Sequence, residues 1–565
     1  MNKYLALTIG PIHKTINASQ RTRMLWGASF LFSYLIRELV KLLKTGELNK
    51  ELHPECKIAG KILIPYAEGI ENDVCIAGEG KYPDRILIHS EEGDFEKVQK
   101  AIETLTGFLA GEIATHLKVG KEVVQIEQDL TDYLQFYFIE KEIGKDENAL
   151  LSLYENLDVL ELRSNYLAND SNNYLFYYLF YVSIKNNKKY SLLAQQGFPN
   201  KENKRFQSLI EVSTSGFSKI EKDQYKELIY HCFIEPAEKD IPNIQSFEER
   251  RFRDDDDLQD EFIKELKSNP EFSARFKKYH QYFAVIYADG DNIGATLKKI
   301  GSSENKDTEI EDFSKKLLDF DSDVVKLINS YGGAPVYIGG EDIFAFVPLA
   351  SIDNGGKQVT IFNLINDIDK AFDGYFTKEY AKELNVIRPT LSFGVAIAYY
   401  KNPLNETMKM AHDLLSKAKK VPDKNAIELI LEEHSGQQFR MSIQKKKEDS
   451  YNAISDLMKS LTSKVFSKDD EQERNFINSI THQLKEPLFK TLLLAVANDH
   501  QRLDEFFKNS FNEPIHKGEM EDYIEEIKKL VKAIFTDYYD DDTRIQNLYS
   551  TLRLIDFMHK NPKDE

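Results

Sequence analysis

The stretch YFAVIYADGDNIG (Tyr282–Gly294), read together with APVYIGGEDIFAFVPL (Ala334–Leu349), decides the fold. In the first, a run of β-branched and aromatic residues has the composition of a strand; it stops at Ala288-Asp289-Gly290-Asp291 and turns helical at Asn292. In the second, two apolar runs flank Gly339-Gly340, the signature of a β-hairpin with a glycine turn. Glu341 and Asp342 follow at once. With the hairpin beside the first strand, Asp289 and this acidic pair meet at the same edge of one sheet. Converging carboxylates bind hard divalent cations, Mg²⁺ or Mn²⁺, which in turn hold the oxygens of a nucleoside triphosphate.

Nucleotidyl transfer uses two such ions about 4 Å apart, one activating the attacking hydroxyl and one steadying the leaving pyrophosphate. Asp289 would bridge the ions, and the carbonyl of Gly290 could add an oxygen. Glu341 and Asp342 are adjacent in a strand, so their side chains point to opposite faces in ideal geometry. One of them is then the full ligand, unless the strand is distorted after the glycines. The competing reading is a surface hairpin with ordinary solvated acids. The earlier strand-Asp-Gly-Asp element, with a helix between, weighs against it.

ADGDNIG followed by YIGGED resembles the catalytic palm of the large subunit of type III CRISPR effector complexes, whose usual motif is Gly-Gly-Asp-Asp. More distantly, it is similar to GGDEF diguanylate cyclases and class III nucleotide cyclases. Glu341 departs from the usual Asp by one methylene. Downstream, TLSFGVAIAYYKNPL (Thr390–Leu404) and MKMAHDLLSKAKK (Met408–Lys420) resemble that palm's next strand and its lysine-bearing helix. The resemblance implies Asp289, Glu341 and Asp342 as catalytic residues. It implies Asp289, Gly290, Glu341 and Asp342 as ligands of two Mg²⁺ or Mn²⁺ ions. Gly290, Asp291, Gly339, Gly340, Ser392 and Lys419 would contact the nucleotide, ATP being the substrate. Lys419 would reach the triphosphate; its plainer reading is a solvated lysine at a helix end.

At the N-terminus, KYLALTIGPIHKTI (Lys3–Ile16) reads as a strand running into a turn, and Ala18–Leu43 as a long amphipathic helix. The IGP turn followed by RTRMLWGAS resembles the opening of the Cmr-type large subunit. KILIPY (Lys61–Tyr66) and DRILIHS (Asp84–Ser90) supply strands, and a helix from Phe95 closes the unit. YPDR (Tyr82–Arg85) resembles the family's Pro-Asn-Arg turn, with Asp84 in place of Asn. Residues 1–105 would be a first palm-like domain without metal acids, with Trp26 and Ser29 as one wall of the nucleotide pocket or, equally, as helix packing. Many relatives begin with an HD nuclease domain. Here the palm-like signature begins at Lys3 and the sole His-Asp pair, His412-Asp413, falls in a helix, so no DNase activity is expected.

Residues 106–277 read mainly as helices, with aromatic faces such as NNYLFYYLFYVSIK (Asn172–Lys185) that suit a core better than a base-stacking platform. ERRFRDDDD (Glu249–Asp257) reads as an exposed linker. The catalytic palm spans 278–432, with helices over Ile310–Tyr331 and Thr360–Leu384 and strands over Val386–Tyr399 and Ala426–Leu431. From Gly436 the pattern is helical throughout, so 433–565 would be the helical bundle that in the family packs against small subunits and the RNA path. YYDDD (Tyr538–Asp542) reads as a solvated turn. The expected fold class is α+β multidomain: two ferredoxin-like palm domains of the GGDEF/nucleotide-cyclase type plus helical domains.

Length and composition agree. The chain has 565 residues, 41% hydrophobic and 30% charged, enough for several soluble domains. A net charge of −19 argues against a freestanding nucleic-acid binder and suits a subunit whose partners hold the RNA. Cys56, Cys75 and Cys232 are too scattered for a disulfide framework or a zinc site, and fit a reducing cytoplasm. Many family members carry a four-cysteine zinc motif, from which this chain departs. No membrane span and no signal peptide are legible.

The resemblance implies a large subunit of a Cmr-like type III-B complex, partnered by the other subunits, crRNA and target RNA. When target RNA binds, such palms join ATP into cyclic oligoadenylate messengers. Some relatives without the HD domain instead join AMP to S-adenosylmethionine, which keeps that co-substrate open. A scaffold with a degenerate palm and a freestanding GGDEF-like cyclase are further alternatives.

Overall fold

The structure of the chain is a computed structural model. It describes residues 2–18, 22–70, 80–144, 147–162, 174–184, 207–234, 255–353, 355–462, 480–497, 499–510 and 520–561.

Strand β1 (Asn2–Gly10) ends at Pro11, which has no N–H to continue a ladder. Helix α1 (Thr22–Thr45), strand β2 (Lys61–Ile64), strand β3 (Arg85–Ser90), helix α2 (Asp94–Leu117) and strand β4 (Gln135–Ile143) follow. The sheet order is β2-β3-β1-β4 and every pair is antiparallel. That is the 4-1-3-2 order of a split βαβ unit, as expected of a ferredoxin-like palm. Two differences from the sequence reading stand out. The helix expected to close the unit by residue 105 runs on to Leu117, and the fourth strand comes from the segment read as mainly helical. QFYFIEKEI sits directly after a helix, and its strand pattern is hidden in that helical run.

After α3 (Ala149–Glu161) and a helical segment, the second sheet begins. It is built from β5 (Tyr282–Asp291), α4 (Ile293–Ile300), α5 (Lys306–Tyr331), β6 (Ala334–Gly339), β7 (Asp342–Pro348), α6 (Ile361–Tyr375), β8 (Thr390–Tyr399), α7 (Leu404–Ala418), β9 (Ala426–Glu432) and β10 (Gln438–Gln444). The order is β10-β9-β8-β5-β7-β6. Its four core strands repeat the 4-1-3-2 arrangement, and β9 adds in parallel to β8. The expected helix over Thr360–Leu384 breaks into α6 and a short Lys378–Leu384 helix capped by the Thr377 hydroxyl. The strand expected from Val386 begins at Thr390, just after Pro389. Beyond Gly436 the chain is not helical throughout: β10 pairs antiparallel with β9, and its FRMSIQ core alternates buried with less buried residues.

Alternation along β1 and β5 explains the packing. Tyr4 and Ala6, with Ala284, Ile286 and Ala288, point into a core shared with α5, α6 and the C-terminal helices. Leu5, Leu7 and Ile9, with Phe283 and Val285, point into a second core shared with α1, α2 and the middle helices. The two sheets thus lie side by side between the same two layers. They are joined by specific bonds. The Ile338 amide donates to the carbonyl of Gly80 (2.8 Å), and the Ser29 hydroxyl donates to the carbonyl of Val336 (2.7 Å). On the other side, Asp307 of α5 accepts from the Tyr4 hydroxyl (2.7 Å) and pairs with His89 (2.5 Å).

The final helix, Asp541–His559, lies on β10, where Asn547 accepts from the Ser442 amide (3.0 Å) and donates to its carbonyl (2.8 Å). The YYDDD segment is the turn into this helix, with Asp540 capping the Thr543 amide (2.8 Å). Asp255–Asp257 open a helix; the rest of the charged run before them lies outside the described residues. Cys56 and Cys232 are buried free thiols, and Cys75 lies outside the described residues. Among the described residues no helix is long and apolar enough to cross a membrane.

Candidate active site

The end of β5 is shaped by one missing side chain. The ladder of β5 with β7 ends at Ala288 opposite Ile343, so continuing the register places Gly290 opposite Glu341. A Cβ on Gly290 would lie 2.7 Å from the Glu341 Cβ and 2.6 Å from Cγ1 of Ile293. Only glycine lets the turn and the start of α4 close over the strand here. Across the hairpin, Gly340 has φ of 70°, the left-handed value that the glycine turn requires.

Asp289 and Asp291 share a face of β5. Asp291 is fully buried and accepts from the hydroxyls of Thr390 (3.0 Å) and Ser392 (2.8 Å) and from the Asn425 amide (3.0 Å). Asp289 is partly open to water. The Lys419 ammonium reaches this face from the end of α7. It donates to the Gly290 carbonyl (2.5 Å) and pairs with Asp289 (2.8 Å) and Asp291 (3.4 Å). Its reach depends on how closely α7 lies on β8: a Cβ on Gly394 would fall 2.2 Å from the Ala411 carbonyl oxygen.

Glu341 and Asp342 border a cleft of about 340 Å³ between the two sheets. Ile64, Pro65, Asp84 and Arg85 of the first palm wall one side, with Tyr154 of α3, and Ile293, Leu297, Phe313 and Asp321 the other. Burial and repulsion from Asp289 push the Glu341 carboxyl up to about 7. Asp342 opens to water through the cleft but is ringed by protein elsewhere. That enclosure, with Glu341, Asp289 and Asp84 nearby, holds its carboxyl well above the ordinary range. Asp321 is buried beneath the turn, where its Oδ2 accepts from the Gly340 amide (3.0 Å), and burial raises its carboxyl strongly.

Several expectations change. Asp291 and Ser392 are fully buried and bonded to each other, so they position the strand end rather than touch a ligand in this arrangement. Trp26 and Ser29 do not line the cleft. Trp26 is buried and stacks on Phe30, and Ser29 forms the joint between the sheets. The first palm is not without an acid at the site, because Asp84 faces the cleft. His412 lies edge-on to Tyr287 on α7. Asp84, Arg85, Tyr154 and Asp321 were missed by sequence reasoning. Asp84 had a signal in the YPDR turn; Asp321, inside a charged helix, had none.

Among the described residues no three ligand side chains converge on one point as a ready metal cage. The donor set nevertheless fits a cation: the Lys419 ammonium stands on the Asp289 carboxylate and the Gly290 carbonyl, two of the four expected ligands. Crowded carboxylates with raised proton affinity are the other half of such a site.

Residues 282–428 match the family description "Cas10/Cmr2, second palm domain", and residues 4–118 match "CRISPR-associated protein Cmr2, N-terminal". These two segments, together under half of the chain, are similar to domains of the Cas10/Cmr2 family. A curated relative, "CRISPR system Cmr subunit Cmr2" of Pyrococcus furiosus, is 24% identical over 229 residues, which is 36% of this chain and 23% of the relative. The match thus spans under a quarter of that relative's length. The fold is similar to a chain of the type III-B Cmr-beta complex in its apo state, with a TM-score of 0.56 at 11% identity over 98% of this chain and 81% of that one. A chain of Cmr-beta bound to cognate target RNA gives a TM-score of 0.51 at 11% identity, over 99% of this chain and 83% of that one.

Proposed function

We propose that this chain is the large subunit of an RNA-guided type III CRISPR complex, and that its second palm joins ATP molecules by nucleotidyl transfer into cyclic oligoadenylate. The observation that carries the reading is the strand end where Asp289 and Gly290 continue the register opposite Asp342 and Glu341, beside a cleft roofed by the first palm. Divalent cations held there would stabilise charge developing on the α-phosphate and on the leaving pyrophosphate. Asp289 and the Gly290 carbonyl already hold the Lys419 ammonium, and Glu341 and Asp342 border the cleft beside them. Lys419 is within reach to turn from Asp289 toward a triphosphate. The apolar walls at Ile293, Leu297 and Phe313 suit a flat base, while Asp321 holds the glycine turn in place through Gly340. The 3′-hydroxyl of one nucleotide attacks the α-phosphate of the next; the new 3′-O–P bond replaces the bond to pyrophosphate. The partners are the other complex subunits, which supply the basic surface an acidic chain lacks, and the crRNA and target RNA held on that surface.

Mass spectrometry tests this. The reconstituted complex is incubated with target RNA, Mg²⁺ or Mn²⁺, and ATP, with and without S-adenosylmethionine. Adenylate oligomers that vanish in an Asp289→Ala, Asp342→Ala complex are expected. A product formed only with S-adenosylmethionine would replace the cyclase reading by the AMP-conjugating one. No product under either condition would leave a scaffold.

A further inference from the structure

Lys419 makes three contacts at the strand end, and all three are to groups that a cation would use. Its ammonium takes the Gly290 carbonyl at 2.5 Å, the Asp289 carboxylate at 2.8 Å and the inner oxygen of Asp291 at 3.4 Å. The last oxygen is buried and has no hydrogen-bond partner of its own. The ammonium is therefore the counter-charge that makes two neighbouring carboxylates on one face tolerable in the fold. It is also only one-fifth exposed, while Asp289 keeps a path to water. A divalent ion drawn to the same carboxylate and carbonyl would meet the positive charge of the ammonium at close range.

We infer that Lys419 is the resident counter-ion of the metal-free strand end, and that a divalent cation enters at Asp289 only as the ammonium leaves. The lysine side chain is long enough to swing without moving α7, whereas its backbone is fixed by the pressing of α7 on β8 at Gly394. A triphosphate entering beside Glu341 offers the ammonium a stronger anionic partner and brings cations with it. Nucleotide and metal then load together, and the site rejects either divalent cation alone. The inference rests on the nucleotidyl-transfer reading for the identity of the triphosphate; the competition between Lys419 and a cation does not.

The test is Mn²⁺ binding to the full chain without nucleotide, followed by electron paramagnetic resonance, in the wild type, Lys419→Met and Lys419→Arg. Removing the ammonium should tighten Mn²⁺ binding by roughly tenfold, within the range of ordinary coupling between sites, and Lys419→Arg should stay near the wild type. Because two bare carboxylates could unsettle the methionine variant, melting temperature is measured alongside. The increase on adding Mn²⁺ should be larger in Lys419→Met than in the wild type. Equal Mn²⁺ affinity and equal increases in the two chains would overturn the inference. Tight Mn²⁺ binding by Lys419→Met with no nucleotide product from the wild-type complex would leave the inference standing and remove the cyclase reading. Product from the wild type with unchanged Mn²⁺ binding in the variant would do the reverse.

Discussion

Gly290 and Glu341 face each other where the end of β5 meets the glycine hairpin, at a distance that excludes any side chain on the former: an added Cβ would fall 2.7 Å from the Glu341 Cβ. The Gly290→Ala chain must push Glu341 and Ile293 outward. A loss of about 1–3 kcal/mol in stability is expected, as for other overpacked sites. Oligoadenylate formation should fall with it. Denaturant unfolding and product mass spectrometry check the two parts separately; a variant with normal activity would show that the closeness of strand and turn is not needed.

Asp342→Asn should separate stability from chemistry. Enclosure by protein, with Glu341, Asp289 and Asp84 nearby, pushes its carboxyl well above the ordinary range, so the amide removes the cost of a crowded charge without removing volume. The melting temperature of the metal-free chain should stay level or rise at neutral pH, while product formation drops on the order of 100-fold, as expected when a group that meets transition-state charge is lost. A chain that melts lower and keeps its activity would contradict both parts.

The pH dependence of stability has a sign set by Glu341. Its folded value of about 7 lies above the ordinary 4.5, so in that window the folded chain holds a proton that the unfolded chain has released. Stability from this group is complete below the ordinary value and lost as pH rises through the folded one. Melting curves without divalent cations, compared between the wild type and Glu341→Gln, should therefore diverge between about pH 5 and 7, the wild type losing more stability as pH rises. Parallel curves would remove Glu341 from the account.

His280 acts in the opposite direction. It is buried among Phe217, Phe276 and Tyr279, and its Nδ1 accepts the Lys277 amide (2.9 Å), which needs a neutral ring. Burial lowers its folded value to about 3 against an ordinary 6.5. Between these values the unfolded chain takes up a proton that the folded chain refuses, so stability falls as pH drops through that window. His280→Asn, which keeps an acceptor, should lose less stability on acidification than the wild type when both are unfolded by urea.

Much of the site was legible because its two halves are local. The strand ending in ADGD and the GGED turn each carry their own signal, and the split βαβ order brings them together. What the sequence could not convey was which carboxylates end inside. Asp291 looks like Asp289 in the chain and shares its face of the strand, yet the hydroxyls of Thr390 and Ser392 and the Asn425 amide make it a buried support. Asp321 sits in DFDSD, a run that reads as a solvated helix face, and only the turn packed above it makes it an inward group. The strand Gln135–Ile143 was hidden for a related reason: its partner is β1, more than a hundred residues away, and local periodicity does not report such a pairing. Likewise β10 became visible only once β9 offered it an edge.

The bond from the Ile338 amide to the Gly80 carbonyl ties a main-chain position next to the glycine turn to a loop of the other palm. That amide points outward from an outermost strand to this one acceptor, so its hydrogen should exchange with solvent when the two palms part. Its exchange rate is a gauge of how often the cleft gapes, readable at one backbone site. A partner that pries the palms open would speed it, and one that clamps them would slow it, with every acidic side chain left untouched.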